Sequence, residues 1–249
     1  MRKFLLPLFI VAAGLVSCSK EKEDLSEISI GHKYFPTEIG KYIIYNFDST
    51  IWSGQQKEPF HVLGQVRYSV VDTFRDNQNR LSYTISVQSR INNTDAYLPN
   101  EVIYVTPNNN QLLYSTKNTT FIKLVFPVSE GKSWNGNAMV PEGIDDTYKE
   151  YYTGDWNYVY SKVNQPYDLQ NNYHQHTLTV NQVNEVINDP DLDSTAYAAK
   201  NYSQEVYSYN VGMIYKEREY WEFQPKLGNG GGTGFKKGYA LVMRAVENN

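Results

Sequence analysis

The sequence predicts an all-β protein: one antiparallel, strongly curved sheet, arranged as a half-barrel, barrel or sandwich, with at most one short helix. Three observations carry this. Apolar and polar residues alternate along most of the chain, the pattern of half-buried strands. The breaks between alternating runs are short and rich in Asn, Asp and Gly, residues that favour turns. No stretch holds a long helical period, so successive strands lack crossover helices and pair antiparallel.

The elements follow in order. The first strand is expected at 41–47, directly after the frame F-P-T-E-I-G-K at 35–41. Val66, Tyr68, Val70 and Phe74 then share one strand face, and Leu81, Tyr83, Ile85 and Val87 share another. The turn-forming residues 76–80 make these two strands a hairpin. Further strands are expected at 102–106, 111–115, 120–126, 156–163, 174–186, 212–223 and 239–246, with asparagines at 108–110 and 171–172 in tight turns. Three alanines behind Ser194, a candidate N-cap, predict the single short helix within 195–205.

The opening frame returns as F-P-V-S-E-G-K at 126–132. Proline fixes φ and cannot donate to a sheet, so it precedes a strand or sits at an edge. Glycine supplies conformations closed to other residues, and phenylalanine anchors the turn in the core. The frame therefore predicts a buried plug, a turn and a strand entry. The 91-residue offset between the copies suggests two half-domains.

The N-terminus carries an address. Arg2 and Lys3 precede a run at 4–16 that is apolar apart from Pro7 and Gly14. This run is too short to span a bilayer as a helix and has the layout of a secretory signal. It ends in Leu15-Val16-Ser17-Cys18, which resembles a bacterial lipobox. Cys18 is the only cysteine, so it has no intramolecular disulfide partner. Fatty-acyl chains such as palmitate on that thiol would anchor the protein, each buried methylene adding about 0.8 kcal/mol. Ser19 stands where retention signals of the inner membrane place aspartate, which favours the outer membrane. The charged residues 20–24 resemble the tether that sends Bacteroidota lipoproteins to the cell surface, although Lys22 interrupts their acidic run. A periplasmic or a surface-facing anchor both fit. The expected division is a signal peptide at 1–17, a lipid-anchored flexible tether at 18–33 and a single β domain at 34–249.

The formal net charge is −4, and −6 once Arg2 and Lys3 leave with the signal. No basic block of the kind nucleic acids require is present.

Four segments also carry a family likeness: Y-F-P-x-x-x-G at 34–40, V-x-Y-x-V-V-D-T-F at 66–74, F-P-V-S-E-G-K-S-W at 126–134, and E-V-Y-S-Y-N-V-G-M-I-Y-K-E at 205–217. Together they resemble a group of bacterial outer-membrane lipoproteins common in Bacteroidota, whose late segment reads Y-A-x-x-V-G-L-I-Y-K-E. The group has no agreed activity. The resemblance implies an envelope address and an architecture, and no catalytic residue is carried over.

Candidate chemistry is sparse. His174 and His176 lie two apart on one strand face and could meet one metal, or simply pack and hydrogen-bond. The aspartates of 189–193 look like a calcium loop, but Ser194 stands at the glycine position and Lys200 at the final glutamate. The glycine-rich 228–234 precedes a strand, not the helix that a phosphate loop opens. No G-x-S-x-G elbow occurs. Glu217 and Glu219 share a face with Trp221. Among 22 tyrosines and 4 tryptophans, core and sheet packing is the first reading; Trp156, Tyr158 and Tyr160, and separately Trp221, are the candidates for an aromatic binding surface, the alternative. Ser49 and Ser194 sit in D-S-T triplets resembling a Bacteroidota O-glycosylation acceptor.

The expected protein is thus a lipid-anchored binding or envelope-assembly component, non-enzymatic and without a cofactor. A glycan-binding or glycan-active accessory protein and a lipid or lipoprotein carrier are the alternatives. Its expected partners are the membrane, through Cys18, and a glycan or another envelope protein, not nucleic acid.

Overall fold

A computed structural model describes residues 25–54, 58–141, 149–152, 154–170, 172–226 and 234–249. The stretch 15–18, the adjoining charged residues and most of the glycine-rich stretch lie outside the described residues.

A short helix α1 (Leu25–Ile30) and a single 3-10 turn (His32–Tyr34) precede the sheet. The first six strands are β1 (Tyr42–Ser53), β2 (Phe60–Arg75), β3 (Leu81–Arg90), β4 (Leu98–Pro107), β5 (Gln111–Thr116) and β6 (Thr119–Val125). The next are β7 (Ser133–Asn135), β8 (Asn157–Leu169), β9 (Asn172–Ile187), β10 (Ala198–Ser208), β11 (Gly212–Gln224) and β12 (Phe235–Asn248), with α2 (Lys149–Tyr152) between β7 and β8. All twelve form one antiparallel sheet in the order β6-β5-β4-β3-β2-β1-β12-β11-β10-β9-β8-β7.

The turns are built by the residues that predicted them. Asp76 accepts the N–H groups of Gln78 and Arg80 and pairs with the Arg80 guanidinium, closing the β2–β3 hairpin. Asn79 in that turn has φ +59°. Asn108 accepts N–H bonds from Asn110 and Gln111.

The sheet rolls until its edges meet. The Ile122 N–H of β6 donates to the Gly136 carbonyl just past β7 at 2.8 Å, and the Trp134 indole donates to the Ile122 carbonyl. The Tyr160 hydroxyl reaches from β8 to both backbone polar groups of Val125. The result is a nearly closed barrel. β7 has only three residues against twelve for β1, so this seam is short.

The repeated frame explains the order. β1 to β6 follow the first copy, β7 to β12 the second, and the glycines have φ +91° at Gly40 and +74° at Gly131. Gly40 donates to the Val70 carbonyl and Val70 donates to the Lys41 carbonyl, both at 2.9 Å. Gly131 and Tyr160 make the matching bond at 2.9 Å, and Tyr160 donates to the Lys132 carbonyl at 3.0 Å. Lys41 closes a turn on Glu38 and Lys132 on Ser129, each at 3.2 Å. Each copy therefore ties its glycine–lysine pair to the second strand of its own six-stranded half. The frame is a strand-entry device used twice.

Two expectations change. Residues 195–205 do not form a helix: from Ala198 onward they are β10, paired with β9 and β11. The packed domain also begins before Tyr34. Ile28 is 2 % exposed within the core, Ser29 accepts an N–H from Val128, and His32 stacks on Phe126 with centroids 4.4 Å apart. The segment from Leu25 on is thus a cap on the barrel end and not tether.

Gly238 marks the tightest approach in the sheet. Its φ is +137°, and a Cβ there would lie 2.1 Å from the Tyr220 carbonyl oxygen. Backbone cannot yield as a flexible side chain does, so Gly238→Ala is expected to lower stability by about 1–3 kcal/mol. Chemical denaturation would check this; an unchanged midpoint would contradict the register between β11 and β12.

Candidate functional site

Inside the barrel the core is not purely apolar. Glu205 of β10 is 1 % exposed and receives Lys123 of β6 at 2.6 Å on Oε1, with Lys216 of β11 at 3.6 Å from the same oxygen. The Tyr207 hydroxyl donates to its Oε2 at 2.6 Å. The Lys123 ammonium also lies 5.4 Å from the Tyr114 ring centroid and 5.7 Å from that of Phe121. Sheet geometry brings these groups together: Glu205 and Lys216 are directly opposite across β10–β11, and Lys123 reaches in from the other half of the barrel.

The electrostatics follow from burial and pairing. Burial alone would raise the Glu205 carboxyl, but Lys123, Lys216 and the hydrogen bonds outweigh it and hold the carboxyl at about 2. Burial pulls the Lys123 ammonium below its ordinary value, and the Glu205 charge opposes that. Tyr45, Tyr114 and Tyr207 are pushed well up by burial, so they remain neutral hydroxyls.

The cluster lines a partly open cavity of about 60 Å3. Phe35, Pro36 and Lys41 from the first F-P-x-x-x-G-K frame form part of its rim, and Ile43, Val70 and Met213 part of its apolar wall. The frame is thus both strand entry and cavity wall.

A second buried cation lies deeper along β11. Arg218 donates to Asn201 Oδ1 and to the carbonyls of Tyr202 and Glu219, and pairs with Glu150 of α2 at 3.1 Å. Its guanidinium is 5.1 Å from the Trp156 ring centroid and 5.4 Å from that of Tyr220. Tyr239 donates to the same Glu150 oxygen.

The residues singled out from sequence fare differently. Trp156, Tyr158 and Tyr160 are 6, 1 and 0 % exposed, so they are core and not a binding surface. Tyr158 donates to Asn137, and Tyr160 holds the barrel seam. Trp221, 7 % exposed, belongs to a smaller cluster with Ala198, Phe223 and Trp52. Lys236 lies between its ring and that of Trp52, 3.7 and 3.9 Å from the two centroids. Glu219 accepts the Trp221 indole N–H and the Lys200 ammonium, so it serves that cluster; Glu217 accepts the Tyr215 hydroxyl.

His174 is buried against the Ser208 hydroxyl, and His176 bonds Asn164. Among the described residues no cluster of three or more His, Cys, Asp or Glu side chains could hold a metal. Ser49 is half-buried in the middle of β1, whereas Ser194 is exposed in a turn where Asp193 caps Thr195. Cys18 lies outside the described residues.

Sequence reasoning missed Lys123, Glu205, Lys216, Arg218 and Glu150. One signal was readable: Lys123 interrupts the apolar run T-F-I-K-L-V-F, two residues from Phe121, where an inward position is expected.

No family model matches the chain, and no curated protein matches it. Among solved structures it is similar to a Bacteroides fragilis protein described as exported and as having a YmcC-like fold. The TM-score is 0.39 at 11 % identity, over 86 % of this chain and 98 % of that one.

Proposed function

We propose that this chain is an exported, lipid-anchored protein of the outer membrane that acts by binding and not by catalysis. The observation that carries the binding reading is the partly open cavity holding Lys123, Glu205 and Lys216. The anchor rests on Leu15-Val16-Ser17-Cys18 behind a short apolar run. Glu205 and Glu150 are engaged, Glu205 by Lys123 and Tyr207, Glu150 by Arg218 and Tyr239. Such groups orient and neutralise; a general base needs a free lone pair within reach of a substrate proton.

The glycan reading loses its main support, since Trp156 and Trp221 are buried.

The anchor has a direct test. Cys18→Ala in the native envelope is expected to abolish incorporation of labelled fatty acid and to move the protein to the soluble fraction. Unlabelled wild-type protein, with a variant that stays in the membrane, would remove the anchor from this reading.

A further inference from the structure

The cavity itself indicates what it would take, if the binding reading above holds. Lys41, Lys123 and Lys216 line it, and of the lining side chains Glu205 alone carries a carboxylate. Both Glu205 oxygens are already in use, Oε1 by Lys123 at 2.6 Å and Oε2 by Tyr207 at 2.6 Å. Lys216 is 3.6 Å from Oε1, beyond direct hydrogen-bond reach, and its side chain is 28 % exposed. Lys41 turns toward the Asn249 carbonyl. Two ammonium groups with three donors each thus face one carboxylate, which leaves surplus positive charge and surplus donors beside the cavity.

A ligand complementary to this end brings negative charge and acceptor oxygens. The walls set the rest: Ile43, Val70, Ile85 and Met213 offer apolar contact. The cavity is small, about 60 Å3, and open on one side. A short aliphatic acid can set its carboxylate against the lysines with the rest of its chain along the apolar wall and mouth. A cationic ligand would meet like charge, and a neutral alcohol would leave the excess uncompensated.

We propose that the cavity binds a small aliphatic monocarboxylate, its oxygens on Lys216 and Lys123 and its hydrocarbon against Ile43 and Met213. The acid could be free in solution or the head of a longer fatty acid whose chain leaves through the open side; the carboxylate chemistry is common to both.

The test is calorimetric titration of the intact lipoprotein in nanodiscs, at low ionic strength, with butyrate, butylammonium, butan-1-ol, octanoate and inorganic phosphate. Saturable butyrate binding is expected, with none for butylammonium or butanol. Lys216→Met is expected to weaken butyrate by at least about tenfold, as losing a charge-assisted contact does, and Lys216→Arg to restore much of it. Lys216 is the residue to change because Lys123→Met would strip Glu205 of its partner and could fail to fold. Tighter octanoate would identify a fatty-acid head, and equal or weaker octanoate a free short-chain acid; either supports the proposal. Absent butyrate binding, equal binding of butanol, preference for phosphate, or an unchanged Lys216→Met variant would each overturn it. None of these results touches the Cys18 anchor, and saturable binding of butanol would overturn the ligand class while leaving a binding protein.

Discussion

Glu205→Ala is expected to destabilise the fold by about 3–5 kcal/mol, the range for removing one partner of a buried ion pair. Lys123 is 10 % exposed at its side chain and would be left with no carboxylate at 2.6 Å. Tyr207 would lose its acceptor as well. The lowered carboxyl points the same way. A carboxyl at about 2 in the fold and 4.5 when exposed corresponds to about 3 kcal/mol at neutral pH. Because the folded value is the lower one, this stabilisation is complete above 4.5 and disappears as pH falls through about 2. Thermal melts across that window are expected to show a steep loss in the wild type and a shallower one in Glu205→Ala. Replacing both partners, Lys123→Met with Glu205→Leu, is expected to recover much of the loss, since apolar groups of similar size substitute well for buried pairs. Recovery stays incomplete because Tyr207 still lacks its acceptor. A double variant as unstable as Glu205→Ala, or parallel acid profiles, would show that the pair does not carry this energy.

The same cluster explains where sequence and structure part. The all-β reading survives because it rests on strands such as β3, where Ile85 and Val87 are buried on the predicted inward face. β10 fails for a physical reason: its inward residues are Asn201, Ser203, Glu205 and Tyr207. Asn201 faces Arg218, Ser203 faces Gln182 and Glu205 faces Lys123. Polar side chains fill the inward positions, so period-two hydrophobicity vanishes and three alanines mimic a helix. Those partners come from β9, β11 and β6, too far along the chain for local periodicity to register. The aromatic strip is legible in its packing and not in its direction. Alternation correctly places Trp156, Tyr158 and Tyr160 on one face, but periodicity does not say whether that face looks into a barrel or out to solvent. Closure through Ile122 and Gly136 decides it, and that is a contact between the two halves. The repeated frame was the most legible feature, because proline and glycine act through their own backbones and need no distant partner.

The frame yields the last prediction, because its two copies share a backbone and differ in what they bury. Phe126 is 6 % exposed, packed under His32, so Phe126→Ala is expected to cost about 3–5 kcal/mol. Phe35 is only half-buried, 6.5 Å from the Tyr207 ring centroid, and fully buried Tyr34 fills the core beside it. Phe35→Ala is therefore expected to cost about 1–2 kcal/mol, less than its counterpart despite the identical motif. The glycines should behave alike. A Cβ at Gly40 or Gly131 meets nothing within 4 Å, so only the positive φ is penalised. Alanine at either position is expected to cost about 1–2 kcal/mol, the usual price of the left-handed region for a residue with a side chain. Lys132 donates to the carbonyls of Phe126 and Pro127, and Lys132→Ala is expected to lose about 1 kcal/mol. Equilibrium denaturation of the five variants gives the comparison directly. Equal losses for the two phenylalanines would mean that the copies are packed alike. A glycine pair differing by more than the phenylalanines would mean that the shared turn is not the shared element. The expected order, Phe126 first, the glycines close together and Phe35 beside them, follows from a strand-entry turn that each half of the barrel reuses and caps in its own way.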